Sequence, residues 1–375
     1  MYVEQMMNDY RQLHAHPELS GKEEETSAWI CSRLQALGIE VKPYAPMSVV
    51  GWIPGKTGER TIALRADIDA LPIQEEADVP YRSTVDGVAH LCGHDGHTAV
   101  LLAVAAWLVN ENIEHDANIL LLFQSAEEIS PSGADALCRA GVMDGVDEVY
   151  GLHLWQGLPL GTIGTSEGPL MASIDDFDIT VYGKGGHGAE PEATIDPVVV
   201  ASQIVQSFQS IVSRTLSPLD AGVVTVGSIQ AGEAFNVIPD TARLIGTMRG
   251  LSYEAVETMK REVTKRAEGI AAAFGATADV TLIEGTPPLV NDATCASYAI
   301  EAAQRVEGTT FELVRPSMGG EDFSFYLKET KGAYVWIGMA SDVSAHPHHH
   351  PKFRIDPRAF PYAFDYCQQL IQLRA

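Results

Sequence analysis

Ile119-Leu-Leu-Leu-Phe123, followed at once by Gln124-Ser-Ala-Glu-Glu128, decides how the rest of the chain reads. Five large apolar residues in a row leave no wet face, so the run predicts a strand covered on both sides by helices. The two carboxylates behind it then emerge at the C-terminal end of that strand, the edge at which open α/β sheets hold their ligands. Neighbouring segments fit the same plan. Thr61 to Leu64 predicts a strand running into Arg65-Ala-Asp-Ile-Asp69, and Glu148 to Leu154 predicts another. Glu23 to Leu37 has helical spacing and stops at Gly38, a residue suited to the turn past a helix end. Thr98 to Val109 carries no charge and predicts a buried helix, too short for the roughly 18 residues of a membrane span. Alternation of this kind gives an α/β fold, a mixed sheet flanked by helices.

From about Ser173 the texture changes. Phe177-Asp-Ile-Thr-Val-Tyr182 alternates apolar and polar residues, the pattern of a strand with one wet face. Val223 to Ile229, Arg243 to Met248 and Asp279 to Ile283 predict three more strands. Val198 to Val212, and a second stretch marked by Val256, Met259, Val263 and Ile270, predict two helices. A four-stranded antiparallel sheet with two helices on one face makes a compact inserted α+β unit. Beyond Pro287-Pro288 the first pattern resumes, with a helix from Ala293, strands at Phe311 to Val314 and Ala333 to Gly338, and a last helix from about Pro357 to Leu373. The expected division is 1–172 and 288–375 for the main domain and 173–287 for the insertion.

Over 375 residues, 50 acidic side chains against 25 basic ones give a formal charge of −25. Such a surface repels phosphate backbones and anionic lipid, which argues against nucleic acid and membrane partners. Met1 to Asn8 shows no basic patch leading into an apolar stretch, so no secretory signal is expected. The cysteines at 31, 92, 138, 295 and 367 are odd in number and scattered, unlike a disulfide framework, and fit a reducing cytoplasm.

His90-Leu-Cys-Gly-His-Asp-Gly-His-Thr98 crowds borderline and soft metal ligands into nine residues at an expected strand-to-helix junction. Glycines 93 and 96 would let the backbone fold around an ion. The plainer alternative is a buried thiol beside a capping histidine and an aspartate satisfying backbone donors. In Glu127-Glu128 adjacent side chains point different ways, so one carboxylate can bind a metal while the other acts as a general base, a division of labour that hydrolysis needs. Gly151-Leu-His153 supplies another imidazole at the same edge. Three successive strand ends delivering Cys/His, Glu/Glu and His amount to a two-metal ligand set, which His349 would complete.

Eight motifs then stand in order along nearly the whole chain: Arg65-Ala-Asp-Ile-Asp-Ala-Leu-Pro72, Cys92-Gly-His-Asp-Gly-His-Thr98, Ala126-Glu-Glu128, Gly151-Leu-His153, Gly185-Gly-His-Gly-Ala-Glu-Pro191, Asn236-Val-Ile-Pro-Asp240, Gly319-Gly-Glu-Asp-Phe323 and His349-His-Pro-Lys-Phe353. Together they resemble the hippurate hydrolase and N-acyl-amino-acid amidohydrolase family of dinuclear metallopeptidases. The resemblance implies a mixed-sheet metallopeptidase domain with an inserted lid and dimerisation domain. It implies that Cys92, His94, Glu128, His153 and His349 hold two divalent ions, with Glu127 as general base and proton shuttle. His187 would enter the active site of a partner subunit to stabilise the oxyanion. Asn236 and Arg249 would clamp the substrate's free carboxylate, a task that suits the bidentate geometry of arginine.

The activity so implied is hydrolysis of the amide bond of an N-acyl amino acid, with an acetyl, benzoyl or similar acyl group, by a homodimer or larger homo-oligomer. The near rival is a dipeptidase or carboxypeptidase of the same family; the distant one is a metal-binding protein without turnover, against which the complete set of catalytic residue types argues. Cys92 and three histidines favour Zn²⁺ on softness, with Mn²⁺, Co²⁺ or Ni²⁺ as the other candidates. The chain departs from the family in having His348 where an apolar residue commonly precedes the last ligand, and Arg354-Ile-Asp-Pro where an acidic stretch commonly follows Lys-Phe. His346, His348 and His350 therefore compete with His349. Asp67 and Asp69 are expected to orient ligands rather than bind, and Glu321 to lie near the site.

Overall fold

The computed structural model describes residues 1–375. The chain forms two compact units, one of Met1–Leu170, Val290–Arg315 and Asp322–Ala375, the other of Met171–Leu289 and Pro316–Glu321. The return of Pro316–Glu321 to the second unit was not visible in the sequence division. It is made by local pairing, with the Ala172 N–H donating to the Gly319 carbonyl at 2.9 Å and a bridge between Met171 and Ser317.

The first unit is built on an eight-stranded sheet in the order Glu40–Lys42, Val49–Ile53, Asn118–Gln124, Thr61–Asp67, Glu148–Pro159, Lys331–Ala340, Thr162–Thr165, Thr310–Leu313. Thr61–Asp67 runs parallel to both Asn118–Gln124 and Glu148–Pro159, while Val49–Ile53 is antiparallel to Asn118–Gln124, so the sheet is mixed. The apolar run sits where its composition demands, in a strand buried at every residue. The uncharged helix extends over His94–Asn110 and is buried from His94 to Leu108. Its Leu101, Leu102 and Val104 join Leu121, Phe123 and Leu152 in one core. Each large side chain so buried contributes roughly 1.5–3 kcal/mol. Glu24–Ala36 ends as expected, with Gly38 at φ 76° and the Ile39 N–H donating to the Leu34 carbonyl at 3.0 Å.

One helix of this unit, Tyr2–Ala15, escaped the sequence reading. It turns Asp9 and His14 inward beside Met6, Tyr10 and Leu13, so its buried face does not read as apolar.

In the second unit the strands order as Gly222–Ala231, Thr241–Gly250, Asp175–Tyr182 and Thr277–Glu284, all antiparallel. Phe177, Ile179 and Val181 point into a core completed by Val200, Ile204 and Phe208 of the helix Pro197–Ser210 and by Met259 and Val263 of Tyr253–Ala273. A separate two-stranded ribbon pairs Gly186–His187 with Val237–Ile238. No helix of the chain is long and apolar enough to cross a membrane.

Candidate metal centre

Two ligand-bearing segments differ from the sequence expectation. Cys92 and His94 do not leave a strand: an irregular stretch precedes them, Gly93 turns the chain at φ 108°, and the helix begins at His94. His153 lies inside the strand Glu148–Pro159 rather than at its end. The two glycines also separate in role. A Cβ on Gly96 would stand 2.5 Å from Ile355 Cδ1 and 2.7 Å from Leu154 Cδ1, so Gly96 faces packed side-chain ends that would have to shift to admit one, rather than an ion. After the buried strand ends at Gln124, Ala126 adopts φ 54° and bends the chain, and Glu127 and Glu128 follow.

These segments bring six side chains together. Ligand atoms of Cys92, His94 and His153 lie within 4.8 Å of one another, as do those of Cys92, Glu128 and His349, and those of His94, Glu127 and Glu128. Cys92 is common to the first two groups. Cys92 Sγ is 3.6 Å from His153 Nε2, His349 Nε2 is 3.0 Å from Glu128 Oε1, and His94 Nε2 is 3.9 Å from Glu127 Oε2. The rings are held in a ligating orientation. His94 Nδ1 donates to Asp69 Oδ1 at 3.0 Å and His153 Nδ1 to the Leu154 carbonyl at 3.0 Å, which turns each Nε2 toward the cluster; burial opposes a charge on His94, but Asp67 beside it raises its pKa well above the usual value, so a metal there would displace a proton.

His97 and the other three late histidines are otherwise engaged. His97 bonds Asp67 through Nδ1 at 2.7 Å and accepts the Leu154 N–H through Nε2 at 2.9 Å. His348 Nε2 accepts the Gln156 N–H at 3.1 Å. His346 and His350 stack on each other, centroids 4.3 Å apart. Of the four late histidines, His349 is therefore the one in the cluster.

The electrostatics call for a cation. Burial would raise the Asp67 carboxyl, but the charges of His94 and Arg65 hold it well below the usual range, and Asp69 is lowered chiefly by its bond to His94. Burial and Glu128 push the Cys92 thiol well up, so a thiolate there needs positive charge nearby. Burial, with His97 and His348 alongside, keeps His153 neutral. Glu128 Oε1 is buried without a well-formed hydrogen bond, although His349 Nε2 stands close. A thiol, three imidazoles and two carboxylates fit borderline divalent ions such as Zn²⁺ far better than Mg²⁺ or Ca²⁺.

Sequence reasoning missed two supports. Glu23, fully buried, accepts the Ala126 N–H at 2.7 Å and so steadies the bend before Glu127. Arg65, buried in mid-strand, donates to Asp67 Oδ2 at 2.6 Å, Asp322 Oδ1 at 2.7 Å and Gln124 Oε1 at 2.8 Å. For Arg65 the signal was a charged residue inside an apolar segment, where it must be paired, whereas Glu23, set among Lys22, Glu24 and Glu25, carries no such signal.

The remaining candidates lie in the second unit. His187 is exposed on the two-stranded ribbon, accepting the Ala189 N–H at 3.1 Å, and Val237 pairs with it in register. The Asn236 carbonyl accepts the Gly188 N–H at 2.8 Å, which puts Asn236 and His187 on one ribbon. Arg249, on the strand Thr241–Gly250, donates to the Met248 carbonyl at 2.9 Å and to Thr247 Oγ1. Glu321 belongs to this unit and is buried.

The pattern of peptidase family M20/M25/M40 matches residues 63–373. The N-acetylcysteine deacetylase of Bacillus subtilis (strain 168) is 42% identical over 367 residues, 97% of this chain and 95% of that protein. The N-acyl-L-amino acid amidohydrolase of Geobacillus stearothermophilus is 43% identical over 282 residues, 75% of this chain and 76% of that protein. Among solved structures, a dinuclear metal binding peptidase of the M20 family from Bacillus subtilis superposes with a TM-score of 0.88 at 38% identity, covering 99% of this chain and 98% of that one.

Proposed function

The chain belongs to peptidase family M20/M25/M40, and from that premise we propose how its residues hydrolyse the amide bond of N-acyl amino acids. It is a metal-dependent amidohydrolase whose substrates are N-acyl amino acids, split into a carboxylic acid and a free amino acid. The observation that carries the residue assignment is the pair of ligand groups sharing Cys92 beside two adjacent carboxylates.

Cys92, His94 and His153 would hold one divalent ion, and Cys92, Glu128 and His349 the other. Bound there, the pair would polarise the scissile carbonyl and make water acidic enough, with a pKa near about 7, to attack at neutral pH. Glu127 takes the proton of the attacking water and returns it to the leaving amine nitrogen, so that the C–N bond breaks with a neutral amine departing. His187 of a second copy donates to the oxygen that becomes negative in the tetrahedral species, and Asn236 with Arg249 grips the substrate's carboxylate. This makes the working form a homodimer. Zn²⁺ or Mn²⁺ suits the donors, Co²⁺ or Ni²⁺ being able to substitute, and a reducing cytoplasm suits the five free cysteines.

The test is a panel of N-acetyl and N-benzoyl amino acids and dipeptides, read by release of free amine with and without a chelator. Turnover of the N-acyl substrates, lost with chelator and regained with Zn²⁺ or Mn²⁺, is expected. Faster turnover of dipeptides would move the reading to a dipeptidase.

A further inference from the structure

We propose that His14, from a helix that supplies no ligand, is a positioning residue that clamps the loop bearing Cys92 and His94 to the segment that anchors the His349 loop. This rests on the ligand assignment proposed above.

His14 lies at the end of the helix Tyr2–Ala15 with 2% of its side chain exposed. Its Nδ1 is 2.7 Å from Asp95 Oδ2 and its Nε2 is 3.1 Å from Glu75 Oε1, both partners being equally buried. Ionised carboxylates only accept hydrogen bonds, so both ring nitrogens donate and the ring is an imidazolium. Burial pulls its pKa down, but the bonds to Asp95 and Glu75 outweigh that and raise it to about 9. Tyr10 and Tyr81 close around the ring, each with its centroid 5.4 Å away.

The two carboxylates lead to opposite sides of the metal centre. Asp95 follows His94 directly, and its Oδ1 accepts the Gly96 N–H at 2.9 Å, so Asp95 is locked to the first turn of the ligand-bearing helix. Glu75 Oε2 accepts the Ser83 N–H at 2.7 Å, and the next residue, Glu76, donates its N–H to the Pro351 carbonyl at 2.7 Å, two residues past His349. The His349 loop needs such anchoring, for His349 itself is 49% exposed and holds φ 65°. Without the cation between them, Asp95 and Glu75 would be buried like charges with no shared donor, and their separation moves the loops.

The test compares wild type, His14→Gln and Glu75→Gln as folded apo-proteins titrated with Co²⁺ against a competing chelator. The Co²⁺ spectrum reports thiolate ligation by Cys92, and melting is followed alongside. In the variants the ion assigned to Cys92, Glu128 and His349, whose ligands come from both clamped segments, should lose about tenfold or more in affinity. Unchanged affinity for both ions in folded variants, whatever their melting temperature, would overturn the clamp. If His14→Gln fails to fold, Glu75→Gln decides alone, since it keeps the His14–Asp95 bond. Wild-type protein that binds no Co²⁺ would remove the ligand assignment itself, a result distinct from two ions bound alike in all three proteins.

Discussion

Asp69 Oδ1 accepts the Nδ1–H of His94 at 3.0 Å, and the same carboxylate receives the Glu128 N–H at 3.0 Å and the Ser20 hydroxyl at 2.7 Å through Oδ2. One fully buried side chain thus fixes the ring of one proposed ligand and the backbone of another. Orientation of this kind is what turns a cluster of polar groups into a site that holds ions in a set geometry.

Asp69→Asn keeps an acceptor for His94 but sets an amide donor against the Glu128 N–H. Metal affinity should fall about 10–100-fold, measured by chelator competition, while the far-ultraviolet circular dichroism stays that of the wild type. Undiminished affinity would show that His94 needs no such partner.

Glu127→Gln removes the proton acceptor and little else. The variant should keep two ions and the wild-type fold while kcat falls by about 10²–10⁴. Near wild-type turnover would take Glu127 out of the reaction.

Much of this site was legible because buried strands advertise themselves. Ile119 to Phe123 had to be covered on both faces, and carboxylates directly after it had to be either paired or functional. What stayed hidden was set by long-range pairing. His14 reads as an ordinary surface histidine of an N-terminal segment until Asp95 and Glu75, 81 and 61 residues away, close on it. The expected strand before Cys92 and His94 is absent, since the turn at Gly93 follows an irregular segment with no period to detect. Likewise, the motif at 319–323 gave no hint that the chain passes from one unit to the other at Glu321.

His187→Ala should lower kcat by about 10²–10³, the cost of one oxyanion donor, without loss of metal. Because His187 is proposed to serve a second copy's site, mixing inactive His187→Ala with inactive Glu127→Gln and allowing subunits to exchange should restore part of the activity. No recovery despite demonstrated exchange would place His187 in its own chain's site or outside catalysis.

The raised pKa of His14 has a stability consequence with a definite sign. The folded protein binds this proton more tightly than the unfolded chain, whose histidine titrates at 6.5, so the contribution is whole below that pH and fades as the pH climbs through about 9. The shift corresponds to at most about 3 kcal/mol. Denaturant midpoints of the metal-free protein should fall across that window in wild type and stay flatter in His14→Gln; equal slopes in the two would contradict the imidazolium between Asp95 and Glu75.

If two cations share the thiolate of Cys92, anomalous diffraction from crystals grown with Zn²⁺ will locate both of them. Two peaks are expected, both within bonding distance of Cys92 Sγ, one beside His94 and His153 and the other beside Glu128 and His349. A single peak, or peaks away from Cys92, would contradict it.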